Sequence, residues 1–265
     1  TDAFLAAVRR LAGDQQPRVW SLVVSVFGDL APQGDALSGA ILSDILSPVG
    51  IRPEAMRVAL HRLRNDGWID TSKRGREAFH VLSSEGIKQS AIASGRIYAS
   101  VQNAQTKWHI LCYPPALASD EHVRSDSMVQ KGYVPIGSGT YLANGASTEQ
   151  GSEALVLQGE LGAVPDWVRQ SLISHELNTA FEDLFTTLGS LALQSDTTAT
   201  LTAAQIATLR TLIVHRWRKL VLKTPNVPDA LLGNDSSVLT CRAQVMDALS
   251  HLPKPKVSDL SGSAL

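Results

Sequence analysis

Residues 51–82 read IRPEAMRVALHRLRNDGWIDTSKRGREAFHVL, and this stretch decides the fold. Pro53 suits the first turn of a helix, where a missing N–H leaves no bond unmade. Glu54 to Asp66 follows with Met56, Ala59, Leu60 and Leu63 on one apolar stripe, and Gly67 supplies the stop. Stepping at about 100° per residue puts Glu54, Val58, His61 and Asn65 roughly opposite that stripe. Arg57 and Arg62 flank this outward face, and Arg64 lies nearer the apolar edge, where it can touch phosphate or an internal carboxylate. Two strand-like runs come next, Trp68 to Ser72 and Glu77 to Leu82, separated by the basic loop Lys73-Arg74-Gly75-Arg76.

Upstream, Val19, Leu22, Val23, Val26, Phe27 and Leu30 keep the three-to-four spacing of a buried helical face from about Arg18 to Leu30. Ser38 is an N-cap candidate for a second helix carrying Ile41, Leu42, Ile45 and Leu46, which Pro48-Val49-Gly50 breaks. Three helices in this order, a short turn and a basic-tipped hairpin make a winged helix-turn-helix. After Ser83 or Ser84, a polar helix with Ile87, Ala91 and Tyr98 is expected to lead away as a connecting arm.

Whole-chain charge is near balance, with 24 Lys and Arg against 25 Asp and Glu, so a uniformly basic protein is excluded and any nucleic-acid surface is local. Between Arg52 and Arg76 the balance shifts to seven cations against Glu54, Asp66 and Asp70. Arg and His side chains on the third helix suit base edges in a major groove, and a cationic hairpin tip suits phosphates. The plainer reading, charges that merely solvate a helix and a turn, is outweighed by the helical order and the wing together. The candidate DNA-binding residues are therefore Arg52, Arg57, His61, Arg62, Arg64, Lys73, Arg74 and Arg76.

With 265 residues the chain is long for one small domain, and three consecutive ones are expected: 1–100, 101–168 and 169–265. In the second, short strands at Trp108 to Cys112, Tyr133 to Ile136, Tyr141 to Leu142 and Ala154 to Gln158, with a helix at Ala116 to Val129, predict an α+β unit with an antiparallel sheet. The third reads as helices at Ser174 to Leu193, Thr202 to Leu222 and Leu239 to Leu252, with an elbow at Thr224 to Pro228 and a loose tail after Pro253. Cys112 and Cys241 are too far apart in sequence for a paired motif, and Thr1 to Gly13 lacks signal-peptide features, so a reducing cytoplasm is the expected setting. The most apolar window, Val19 to Leu30, is too short to span a bilayer.

Catalytic signals are weak. His109 and Cys112 stand three apart on a strand and so face opposite ways, which disfavours a shared metal. Gly137-Ser138-Gly139 lacks the spacing of a phosphate loop and reads as a turn. No metal ligand set, cofactor motif or catalytic residue is assigned. An enzyme handling CoA or a hydrolysable bond through His175, Glu176 or His215 is the lesser alternative, and a module that docks protein on its winged helix is another. The run Arg210 to Lys223 mixes cations with Trp217, and two readings stay open for it. Arg210, His215, Arg216, Trp217 and Arg218 could hold a bulky anionic ligand, or the helix could be a contact element pairing with acids such as Glu182 and Asp183.

Val19 to Asp29, Gly50-Ile51-Arg52, Arg57 to Leu63, Asp66-Gly67-Trp68-Ile69 and Arg74-Gly75-Arg76 closely resemble the PaaX family of bacterial repressors. Leu212 to Lys219, with Asn226-Val227-Pro228, is similar to that family's C-terminal region. The resemblance implies a homodimeric repressor of phenylacetate-type aromatic catabolism, released from operator DNA by phenylacetyl-CoA or a related aryl-CoA. It also implies a ferredoxin-like middle domain. That fold is shared with small ribonucleases, which need a carboxylate at the end of the first strand. Trp108 to Tyr113 ends without one, so a dimerisation or coupling role is expected there.

Overall fold

The computed structural model describes residues 2–13, 17–99, 107–115, 118–147, 153–191, 193 and 198–260. It is an α+β chain with two small antiparallel sheets. Three consecutive blocks are not what the chain packs into. It forms two compact units, one gathering Thr1–Ala99, Asp183–Val221 and Arg242–Leu265, the other Ser100–Glu182 and Leu222–Cys241.

In the first unit, α1 (Asp2–Ala12) was not foreseen; Phe4, Val8 and Leu11 form its buried stripe. Helix α2 (Val19–Leu30) buries Leu22, Val23, Val24, Val26, Phe27 and Leu30, so its apolar surface extends beyond a single stripe. Such a helix needs cover on more than one side. It packs against α4 (Pro53–Asn65) and also against α9 (Ala203–Val221), the long helix expected in a separate C-terminal domain. Leu209, Leu212, Ile213, Val214 and Trp217 of α9 are buried in this unit, which is why the 169–265 block does not stand apart.

Between α2 and α4, a two-residue strand β1 (Leu37–Ser38) leads into α3 (Gly39–Leu46), capped by Ser38 Oγ, which accepts the Ile41 N–H at 3.3 Å. A 3-10 turn over Ser47–Val49 ends it. The hairpin β2 (Ile69–Arg74) and β3 (Glu77–Leu82) runs further toward its tip than expected, so only Gly75 and Arg76 remain in the loop. Gly75 takes φ +64° there, a conformation that side-chain-bearing residues seldom adopt. β1 joins the far side of β3 to give the order β1-β3-β2.

Helix α5 (Ser84–Ile97) is capped by Ser83 Oγ but is no free arm. It packs on α2 and α9, Trp217 Nε1 donates to the Ile97 carbonyl at 2.8 Å, and Arg96 donates to the Val221 carbonyl at 2.6 Å. A Cβ on Gly86 would stand 2.2 Å from the Trp68 carbonyl oxygen, so the approach of α5 to the hairpin demands glycine. The expected loose tail contains a short helix, Val257–Leu260, whose Leu260 is buried. Residues 261–265 lie outside the described part.

The second unit holds β4 (Lys107–Cys112), α6 (Ala118–Gln130), β5 (Val134–Gly137), β6 (Thr140–Asn144) and β7 (Leu155–Glu160). The expected helix start at Ala116 lies outside the described residues. The strands order as β5-β6-β4-β7, every neighbour antiparallel. Leu111, Met128, Tyr133 and Tyr141 form the core between sheet and α6. Helix α7 (Asp166–Leu172) follows. Two helices carry the chain across the division between units, α8 (His175–Gly189) and the helix Ser237–Ser250.

Candidate nucleic-acid interface

The Pro53 start and the apolar stripe of α4 set which side of it faces out. Met56, Ala59, Leu60 and Leu63 are buried, while Glu54, Arg57, Val58, His61, Arg62, Arg64 and Asn65 are exposed. Arg52, just before the helix, and Lys73, Arg74 and Arg76 of the hairpin are exposed as well. All eight cationic or imidazole side chains expected to bind DNA therefore lie on the surface of one unit, on a helix and its adjoining ribbon.

Their local partners differ. Arg57 Nη2 lies 3.0 Å from Glu54 Oε1, an exposed pair one turn apart that contributes little to stability. Asn65 Nδ2 and His61 Nδ1 are 3.3 Å apart along the same face. Arg62 lies 3.5 Å from Asp66 and stacks over Trp20 with its guanidinium carbon 5.5 Å from the ring centroid. Arg74 covers Phe79 in the same manner at 4.9 Å. Among the described residues, Arg52, Arg64, Lys73 and Arg76 form no ion pair, so Arg64 does not take up the internal carboxylate considered for it. Arg64 instead lies near enough to His80 to lower that group's pKa, second to the effect of burial. Trp20 is the part of this surface that sequence reasoning missed. Its helix and α4 meet only in the tertiary fold, and no spacing in the sequence announces that crossing.

On α9 the residues of the ligand reading have partners inside the chain. Arg210 Nε and Nη2 grip Asp29 at 2.8 and 2.9 Å, and its Nη1 donates to the Leu249 carbonyl at 3.3 Å and to that of Leu252. Trp217 is fully buried, so its ring faces no ligand space. His215 is buried with Nδ1 3.2 Å from Ser25 Oγ. Burial, followed by the Arg218 and Lys219 charges, pushes its pKa down to about 4. Arg218 donates to Ser25 Oγ at 3.0 Å and to the Ser21 carbonyl at 3.2 Å, while Arg216 pairs with Asp183 at 2.6 Å. The partners named here for these five residues belong to the same unit, and Asp183 is one of the acids considered for this stretch.

The remaining candidates also have internal partners. His109 Nδ1 donates to the Gly145 carbonyl at 2.9 Å and its Nε2 is 3.0 Å from the Tyr133 hydroxyl. Gly137-Ser138-Gly139 turns β5 into β6. Glu121 reaches this turn, but its Oε1 accepts the Gly139 N–H at 2.6 Å and Arg124 lies 3.7 Å from its Oε2. His175 Nδ1 lies 3.2 Å from Thr179 Oγ1. Among the described residues no three His, Cys, Asp or Glu side chains are grouped to hold a metal ion, and no helix is long and apolar enough to cross a membrane.

The fold and this surface define an α+β protein with a cationic helix-and-ribbon face carried on an all-round packed helical unit. The chain belongs to the PaaX-like family: residues 18–86 match the family's PaaX-like protein model and residues 174–255 its PaaX-like protein C-terminal domain. It is 25% identical over 234 residues to the transcriptional repressor PaaX of Escherichia coli strain K12, covering 80% of this chain and 73% of that one. The uncharacterized protein Rv0674 of Mycobacterium tuberculosis shares the fold, with a TM-score of 0.57 at 18% identity, over 92% of this chain and 98% of that one.

Proposed function

We propose that the chain is a DNA-binding transcriptional repressor that works without catalysis, using α4 as the recognition helix and β2–β3 as the wing of a winged helix-turn-helix. The observation that carries this reading is the exposed cationic face of α4 and the hairpin, within the stretch matched by the PaaX-like family. A folded chain spends nothing on keeping Arg52, Arg64, Lys73 and Arg76 in water, and phosphate is the partner such a surface suits. Gel shifts with duplex from upstream of its own gene, repeated with Arg57→Ala and His61→Ala at fixed salt, test it. Wild-type retardation lost in the variants supports it; retardation and sequence preference unchanged in both remove these residues from the DNA contact.

In the second unit, the strand order β5-β6-β4-β7 supports a ferredoxin-like reading, since the first strand lies between the third and the last. We assign this unit the pairing of two copies, so that recognition helices from two chains meet half-sites about one helical turn apart. Sedimentation at micromolar concentration checks the dimer. Resemblance to the family supports an aryl-CoA such as phenylacetyl-CoA as the releasing effector in an operon of aromatic catabolism. Such a ligand shifts the equilibrium only by preferring a chain geometry that the operator does not. Calorimetry with phenylacetyl-CoA and free CoA tests the ligand class, and a flat trace with both rejects it.

A further inference from the structure

We infer that Val58 reads the C5-methyl group of a thymine in the major groove, a specificity role that rests on the DNA-binding reading above. Val58 is 71% exposed, whereas Met56, Leu60 and Leu63 of the same helix are buried. A β-branched side chain in the middle of an exposed helical face buries little and slightly disfavours the helix, so folding supplies little reason for it. Lone exposed apolar residues are common on protein surfaces, and exposure alone decides little.

Position decides more. Val58 lies within about 30° of the centre of the outward face, between Glu54 one turn before it and His61 one turn after. Both neighbours are polar and already oriented, Glu54 by Arg57 at 3.0 Å and His61 by Asn65 at 3.3 Å. Arg57 and Arg62 stand on opposite flanks, and Trp20 props the second. Cations on both flanks suit the two phosphate walls of a groove, which turns the strip between them toward base edges. On that strip an aliphatic group has one chemical match, because the thymine methyl is the apolar group that base pairs present in the major groove.

The test uses the full chain. Duplexes enriched from a random library by binding define the site, and each thymine in it is then replaced by deoxyuridine, which deletes the methyl alone. Binding is followed by fluorescence anisotropy at fixed salt. One such replacement is expected to weaken the wild type about fourfold, the worth of one buried methyl-sized group. Val58→Ala, whose melting curve should lie close to the wild type because the side chain is mostly exposed, is expected to bind thymine and uracil duplexes equally. A Val58→Ala protein that discriminates as the wild type does, or a wild type indifferent to every replacement, overturns the role while leaving DNA binding intact. Failure to enrich any duplex removes both readings together.

Discussion

Asp29 and Arg210, 181 residues apart, form a two-point ion pair in which Nε and Nη2 of the arginine stand 2.8 and 2.9 Å from the two carboxylate oxygens. Both side chains are almost wholly buried. The Tyr98 hydroxyl donates to Asp29 Oδ1 at 2.7 Å, and burial, followed by the Asp29 charge, raises the phenol's pKa far above its usual value. Arg210 also ties down carbonyls at the end of the helix Ser237–Ser250. One carboxylate thus joins α2, α5 and α9.

Asp29→Ala leaves the Arg210 guanidinium buried without its counter-charge, and a loss of about 3–5 kcal/mol is expected. Tyr98→Phe removes a single hydrogen bond and should cost about 1 kcal/mol. Urea unfolding of both variants checks the order; an Asp29→Ala protein as stable as the wild type would show that the pair adds nothing.

A fragment ending at Ala99 keeps α2 but loses α9, its apolar cover and the partner of Asp29. Such a fragment is expected to show no cooperative melting and poor amide dispersion in NMR spectra. A well-folded fragment would mean that the helix-and-hairpin region is independent of α9.

Burial pushes the His215 pKa down to about 4 in the folded chain, from about 6.5 when unfolded. Below pH 6.5 the unfolded chain takes up a proton that the folded chain does not. Stability from this group is complete above about pH 6.5 and falls as pH drops toward 4. Between pH 7.5 and pH 5 the loss is about 2 kcal/mol. His215→Asn should flatten that part of the stability–pH curve in denaturant titrations, whatever its stability at neutral pH. An unchanged curve would place the acid sensitivity in another group.

On the hairpin, Arg76→Ala and Lys73→Ala are expected to weaken binding to all duplex sequences alike and to lower the slope of log K against log salt by about 1 for each phosphate contact removed. A change in sequence preference with an unchanged salt slope would make the wing a base reader.

The order of α2, α3 and α4, the Ser38 cap, the Gly67 stop and the hairpin were legible because each rests on neighbours within a turn or two. The outward face of α4 was legible for the same reason: a helix of known period with one apolar stripe has only one other side. The Arg210 to Arg218 stretch was not. A row of cations and a tryptophan looks alike whether it awaits a ligand or is already matched, and its partners Asp29, Ser25, Ile97 and Asp183 come from distant parts of the chain. Periodicity reports which side of an element is apolar but not what covers it. The sequence by itself therefore determined α2 to α4, the hairpin and the exposed cationic edge. The tertiary structure alone decided that α9 completes the N-terminal unit, because an apolar surface as broad as that of α2 needs a second layer and nothing local supplies one.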